Sequence, residues 1–107
     1  APTLREHQVR FGPLLILKEA RNATIDSVPI ELNRREFDIL TYLADHGGQV
    51  VTRERLLTKM DVDGEVFDRT IDSHISHIRA RLKKAGVTQI AISSVYGVGY
   101  RLEEKSN

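Results

Sequence analysis

An α+β domain is predicted, with an N-terminal antiparallel sheet, then three helices, then a terminal β-hairpin. Three observations predict it. Between Val9 and Leu32 short apolar runs alternate with turn residues, the mark of small antiparallel strands. Three stretches with apolar residues at helical spacing follow, the last and clearest being Ile71, Ile75, Ile78 and Leu82. Two further β runs surround Gly97 and Gly99 and close the chain. A chain of 107 residues is enough for one hydrophobic core and too short for two.

The elements can be justified in order. Residues 1–8 show no apolar periodicity and read as a tether or chain edge; 9–104 form the domain and 105–107 a tail. Val9 to Phe11, Leu14 to Leu17, Ala23 to Ile25 and Val28 to Leu32 give three or four strands, separated by Gly12-Pro13 and Asp26-Ser27. Asn33 with Glu36 three residues on makes an Asn-x-x-Glu capping box, and Phe37, Leu40, Leu43 and Ala44 carry the first helical stripe up to Gly47-Gly48. Thr52 caps a second helix bearing Leu56, Leu57 and Met60. Asp68 is the predicted cap of the third helix, which stops at Gly86. Gln89 to Ser93 and Val95 to Leu102 are the final β runs.

The third helix carries the strongest functional signal. Opposite its aliphatic stripe fall Arg69, Ser73, Ser76, His77, Ala80 and Lys84. A solvated face usually bears long charges of both signs, whereas this one keeps small residues at its centre, which permits close approach to a surface. Five bases (Arg69, Arg79, Arg81, Lys83, Lys84) stand against Asp72, a local net of +4 that suits a polyanion such as duplex DNA. The alternative is structural: Arg81, Lys83 and Lys84 in the last turn also complement the helix dipole.

Composition narrows the classes. A net charge of +1 argues against indiscriminate nucleic-acid binding, so the distribution of charge matters more than its total. The segment 61–68 holds Asp61, Asp63, Glu65 and Asp68 with no base, directly before the basic helix. With no cysteine, disulfides, thiol catalysis and thiolate zinc sites are excluded, in keeping with a reducing cytoplasm. No apolar run is long enough to span a bilayer, so no membrane role is expected. Asp72 and His74 diverge on a helix, and no activated serine or phosphate-binding loop occurs, so no catalytic site and no cofactor are expected. His74 and His77, three apart, could share a metal ion; without a third ligand at matching spacing, no metal site is expected.

Sheet, three helices and hairpin is the order of a winged helix-turn-helix domain, in which the second helix of the motif enters the major groove and the hairpin is the wing. The string R-T-I-D-S-H-I-S-H-I-R-A-R-L, followed by S-V-Y-G-V-G-Y-R-L from Ser94 to Leu102, resembles the C-terminal domain of OmpR/PhoB-family two-component response regulators. L-N-R-R-E-F-D-I-L-T-Y-L and V-V-T-R-E-R-L-L resemble that family's first and second helices, so the likeness runs from about residue 9 to residue 103. The resemblance implies sequence-specific binding of double-stranded promoter DNA in the bacterial cytoplasm, as a tandem dimer on direct repeats. It also implies an N-terminal receiver domain, for which this chain has no room. The interhelical loop at 60–67, with Asp61, Asp63, Glu65 and Val66, corresponds to a surface that meets RNA polymerase.

Residue by residue, Arg69, Thr70, Ser73, His77 and Arg79 match recognition-helix positions that contact bases or phosphates. Arg79 lies nearer the core stripe, where a phosphate contact and a pair with Asp72 are both open. His74 matches a family histidine that either contacts DNA or packs. Ser76 and His77 replace a more basic pair found in some relatives, and Arg81 and Lys84 extend the basic surface. Arg53 matches a phosphate-contacting position or is an ordinary exposed arginine. Tyr100 matches an aromatic whose hydroxyl reaches a phosphate, or is merely packed. Tyr96 stands where many relatives carry arginine; it either lays its ring against the sugar-phosphate edge or packs within the hairpin. Gly97 and Gly99 serve hairpin geometry. The rival from another class is a winged-helix module that binds protein, distinguishable by a response to salt that stays flat.

Overall fold

The computed structural model describes residues 8–60 and 68–105, excepting the side chains of Met60, Asp68, Arg69 and Thr70. The acidic segment 61–67, with Asp61, Asp63, Glu65 and Val66 that the resemblance assigns to a partner, lies outside the described residues.

Four short strands, β1 (Gln8–Phe11), β2 (Leu14–Leu17), β3 (Asn22–Ile25) and β4 (Val28–Ile30), form an antiparallel sheet in chain order. Alternation decides which face is covered: Val9, Leu14, Ile16, Ala23, Ile25 and Ile30 all point into the core. Asp26 and Ser27 connect β3 to β4 with φ of 51° and 69°, the two positive values a tight two-residue hairpin requires. The last strand ends at Ile30, short of the predicted Leu32. Pro29 lies in this edge strand, and the chain beyond it must turn to place Asn33 as a helix cap.

Helix α1 (Arg34–Asp45) begins with the predicted capping box: Asn33 Oδ1 accepts from the Glu36 backbone N–H at 2.9 Å, and Glu36 Oε1 accepts from the Asn33 backbone N–H at 3.1 Å. Thr52 Oγ1 accepts from the Arg55 N–H at 3.1 Å and caps α2 (Arg53–Met60). Helix α3 (Asp68–Lys84) ends in a Schellman arrangement at Gly86, whose φ is 76°. The Val87 N–H donates to Leu82 O at 2.9 Å and the Gly86 N–H to Lys83 O at 3.0 Å, and the Val87 side chain packs against the core. All four predicted stripe residues of α3 are buried at 4 % exposure or less.

Two further features depart from the predicted elements. Val50–Thr52 forms a short strand, β5, ahead of α2; it joins β6 (Ile90–Val95) and β7 (Gly99–Glu104) in a second sheet ordered β5-β7-β6. Val95 belongs to the first strand of the terminal hairpin, not the second, because the chain turns at Tyr96-Gly97: the Val98 N–H donates to Val95 O, and Gly97 has φ of 73°. Gly99 serves a different need. Its Cα faces the Val51 carbonyl and Thr52 Cα so closely that a Cβ would have no room. The second sheet thus fixes both the start of α2 and the base of the hairpin, and α3 packs on α1, α2 and β6.

Candidate nucleic-acid interface

Burial of Ile71, Ile75, Ile78 and Leu82 turns the opposite side of α3 to solvent. Ser73, Ser76, His77, Ala80 and Lys84 are exposed there, as the helical spacing predicts. The face is therefore low along its middle and basic toward its C-terminal end. Arg69 and Thr70 occupy its first turn, and their side chains are outside the described residues.

Arg81 does not belong to this surface in the way expected. Its Nε lies 2.6 Å from Glu36 Oε1, an ion pair whose N–H is not aligned as a hydrogen bond. Glu36 is a carboxylate only 1 % exposed, so the half-exposed Arg81 neutralises it and ties α3 to the start of α1. His77 Nδ1 stands 3.7 Å from the other carboxylate oxygen. His74, partly buried beside them, has its Nδ1 without a hydrogen-bond partner; burial lowers its pKa below the ordinary imidazole value, with the Glu36 charge opposing. Ligand atoms of Glu36, His74 and His77 lie within 4.8 Å of one another, so the fold supplies the third metal-ligand candidate that spacing along α3 lacked.

Arg79 is bonded to the second sheet rather than to Asp72. Its Nε and Nη2 donate to Ile92 O at 3.0 and 2.8 Å, and Nη2 also donates to Ser94 Oγ at 2.9 Å. The guanidinium thereby pins α3 to β6 while the residue remains exposed. Asp72 instead pairs with Arg53, whose Nη2 lies 2.9 Å away, and accepts a hydrogen bond from the Tyr100 hydroxyl. Tyr100 is 5 % exposed, and the guanidinium groups of Arg53 and Arg79 stand 5.7 and 5.8 Å from its ring centre. Tyr100 is thus a packed residue with its hydroxyl committed within the protein. Arg53 is neither isolated nor aimed freely outward.

This cluster has a measurable signature. Burial raises the Tyr100 pKa above the ordinary phenol value, the hydrogen bond to Asp72 adds to the rise, and Arg53 opposes it. A folded-state pKa above the unfolded one stabilises the protein below pH about 10 and loses that contribution as pH rises through the folded value. Ultraviolet titration should show one of the three tyrosines ionising above the usual phenol range, and Asp72→Ala should bring it back toward that range. An unchanged profile in that variant would remove Asp72 as a cause.

At the hairpin tip Tyr96 is 100 % exposed and Val98 48 %. Packing of Tyr96 within the hairpin is therefore ruled out. Two site residues escaped the reading of the sequence. Glu36 was visible as half of a capping box, but its pairing with Arg81 joins positions far apart in the chain; the acid Asp72 amid the bases of α3 was visible, but not that Arg53 and Tyr100 converge on it.

The comparisons agree with this architecture. The family described as "Transcriptional regulatory protein, C terminal" matches residues 27–102. The chain is 37 % identical over 102 residues to the alkaline phosphatase synthesis transcriptional regulatory protein PhoP of Bacillus subtilis, covering 92 % of this chain and 42 % of that protein. It is 40 % identical over 99 residues to the transcriptional regulatory protein BaeR of Escherichia coli, covering 92 % of this chain and 41 % of that one. The chain thus spans about two-fifths of the length of these relatives. Among solved structures, the Klebsiella pneumoniae RstA DNA-binding domain in complex with the RstA box superposes with a TM-score of 0.74 at 31 % identity, covering 90 % of this chain and 96 % of that one. The DNA-binding domain of the response regulator AdeR in complex with an intercistronic region gives 0.79 at 28 % identity, covering 90 % and 99 %. No described helix is long and apolar enough to cross a membrane. With its winged helix-turn-helix fold and these matches, the chain belongs to the C-terminal family of transcriptional regulatory proteins, of the OmpR/PhoB response-regulator type.

Proposed function

We propose that this domain, residues 9–104, binds double-stranded promoter DNA sequence-specifically as the effector part of a cytoplasmic response regulator, with α3 in the major groove and the hairpin beside the minor groove. The observation that carries the reading is the exposed side of α3: small at Ser73, Ser76 and Ala80, with His77 able to read a base edge and Lys84 to meet a phosphate. Arg69 and Thr70 would read bases from the first turn, and His74 lies deeper at the edge of that face. Arg53, Arg79 and Tyr100 act mainly by holding α2, α3 and the hairpin in register, with Arg53 at the start of α2 and the exposed Arg79 near the path of the phosphates; Arg81 orients α3 through Glu36. Two relatives of the same fold are seen on DNA, the RstA domain on the RstA box and the AdeR domain on an intercistronic region. In the longer protein a receiver domain would precede this one, and the acidic loop at 60–67 would face RNA polymerase.

Selection from a random duplex pool should return a directly repeated motif, two domains sitting one helical turn apart, about 10 to 11 base pairs centre to centre. Affinity for the selected site should fall with salt by roughly 0.9 log unit per contacted phosphate for each log unit of salt. A single unrepeated motif would sink the tandem arrangement, and a flat salt response with no sequence preference would favour a protein partner.

Tyr96→Arg tests the placement of the wing. Tyr96 offers a fully exposed ring but no cation, whereas arginine is rewarded by the negative potential of a narrow minor groove. The variant should bind more tightly, gain roughly one phosphate equivalent of salt dependence and prefer A·T pairs beside the repeat. A folded variant with unchanged affinity and salt slope would take the wing out of the minor groove.

A further inference from the structure

We infer that Glu36, His74 and His77 form a binding site for one divalent transition-metal ion of the zinc class, joining the start of α1 to the middle of α3. His74 and His77 are three residues apart on a helix and so project from one side of it. Glu36 comes from α1, and the ligand atoms of all three already lie within 4.8 Å of one another. Two imidazoles and a carboxylate, with one position left to water, is a donor set zinc accepts at about 2.0 to 2.2 Å.

The hydrogen bonds around the carboxylate leave room for an ion. Glu36 Oε1 is occupied by the Asn33 N–H at 3.1 Å and by Arg81 Nε at 2.6 Å. Among the described residues Oε2 accepts from Asn33 Nδ2, at 3.0 Å, and a second lone pair is on the atom nearest His77, 3.7 Å from Nδ1. His74 offers a second reason: its Nδ1 is buried and has no hydrogen-bond partner among the described residues. A buried nitrogen so placed is costly unless something binds it. Bringing the three donors to one ion needs rotation of side chains only, chiefly of the exposed His77, while the backbones of α1 and α3 are held by the Glu36–Arg81 pair. Arg81 also sets the limit on affinity, because its charge already neutralises Glu36 and repels an incoming cation.

His77 belongs to the face assigned to DNA, so an ion and a base edge would compete for one ring; this consequence rests on that assignment, whereas the site itself is tested without DNA. Calorimetric titration of the chain with zinc chloride should show one ion bound per chain, with a rise in melting temperature. His74→Ala and His77→Ala should each weaken binding by roughly tenfold or more, since loss of an outer-shell partner alone already costs about 10- to 100-fold. The double variant His7→Ala/His46→Ala, which deletes the only other histidines, should bind as the parent does. His77 is exposed and its replacement leaves the core untouched, so loss of folding is not the expected outcome, and circular dichroism verifies this for each variant. Absence of saturable binding, or binding that survives in a folded His74→Ala/His77→Ala double variant, would overturn the site.

Discussion

Gly99→Ala should destabilise the domain by about 3 kcal/mol, at the upper end of what overpacking costs, because the atoms in the way are backbone and have no rotamer to change. A Cβ on Gly99 would run into the Val51 carbonyl oxygen and the Thr52 Cα, both on the neighbouring strand. Relief requires β5 and β7 to separate, and β5 leads directly into α2 through the Thr52 cap. Gly97→Ala is the informative companion. Its φ of 73° strains any side chain, yet a Cβ there meets nothing within 4 Å, so the cost should stay near about 1 kcal/mol. Urea denaturation of the two variants measures the contrast. Equal losses would mean that the close crossing of β5 and β7 does not constrain the fold.

That crossing also shows what sequence reading reaches and what it misses. The stripe Ile71, Ile75, Ile78, Leu82 and the Asn33–Glu36 box were legible because each is defined within a few residues by a fixed period or offset. Strand β5 was not: three residues give no alternation to count, and its partner β7 lies half the chain away. The same holds at the site. The exposure of Ser73, Ser76, His77 and Lys84 follows from helical geometry alone, and the structure agrees. Whether Arg79 meets Asp72 depends on where β6 passes, since Ile92 O takes the guanidinium instead; whether Arg81 is free depends on Glu36 of a different helix. Long basic side chains choose among partners that only tertiary structure brings within reach, so a helical wheel assigns their direction but not their bond.

Ser73→Glu should abolish specific DNA binding, lowering affinity for the selected repeat by about 100-fold, or about 2.7 kcal/mol. Ser73 is exposed on the side of α3 opposite the buried isoleucines, on the low strip that it forms with Ser76 and Ala80. A helix reads base edges only if it can sink into the groove, and a long side chain on that strip holds it out. The carboxylate adds repulsion from the phosphates on both walls. Glutamate has good helix propensity and the position is exposed, so the melting temperature should be close to that of the parent. Two controls separate bulk and charge from position. Ser73→Ala keeps the strip low and should lose less than about tenfold, the scale of one hydrogen bond. Lys84→Glu changes the charge by a larger amount at the far end of the helix, and should weaken selected and scrambled duplexes alike. Fluorescence anisotropy against both duplexes at one fixed salt concentration reads all three. If folded Ser73→Glu still bound the selected repeat as the parent does, DNA would have to contact some other face of the domain, and the assignment of α3 to the major groove would be withdrawn.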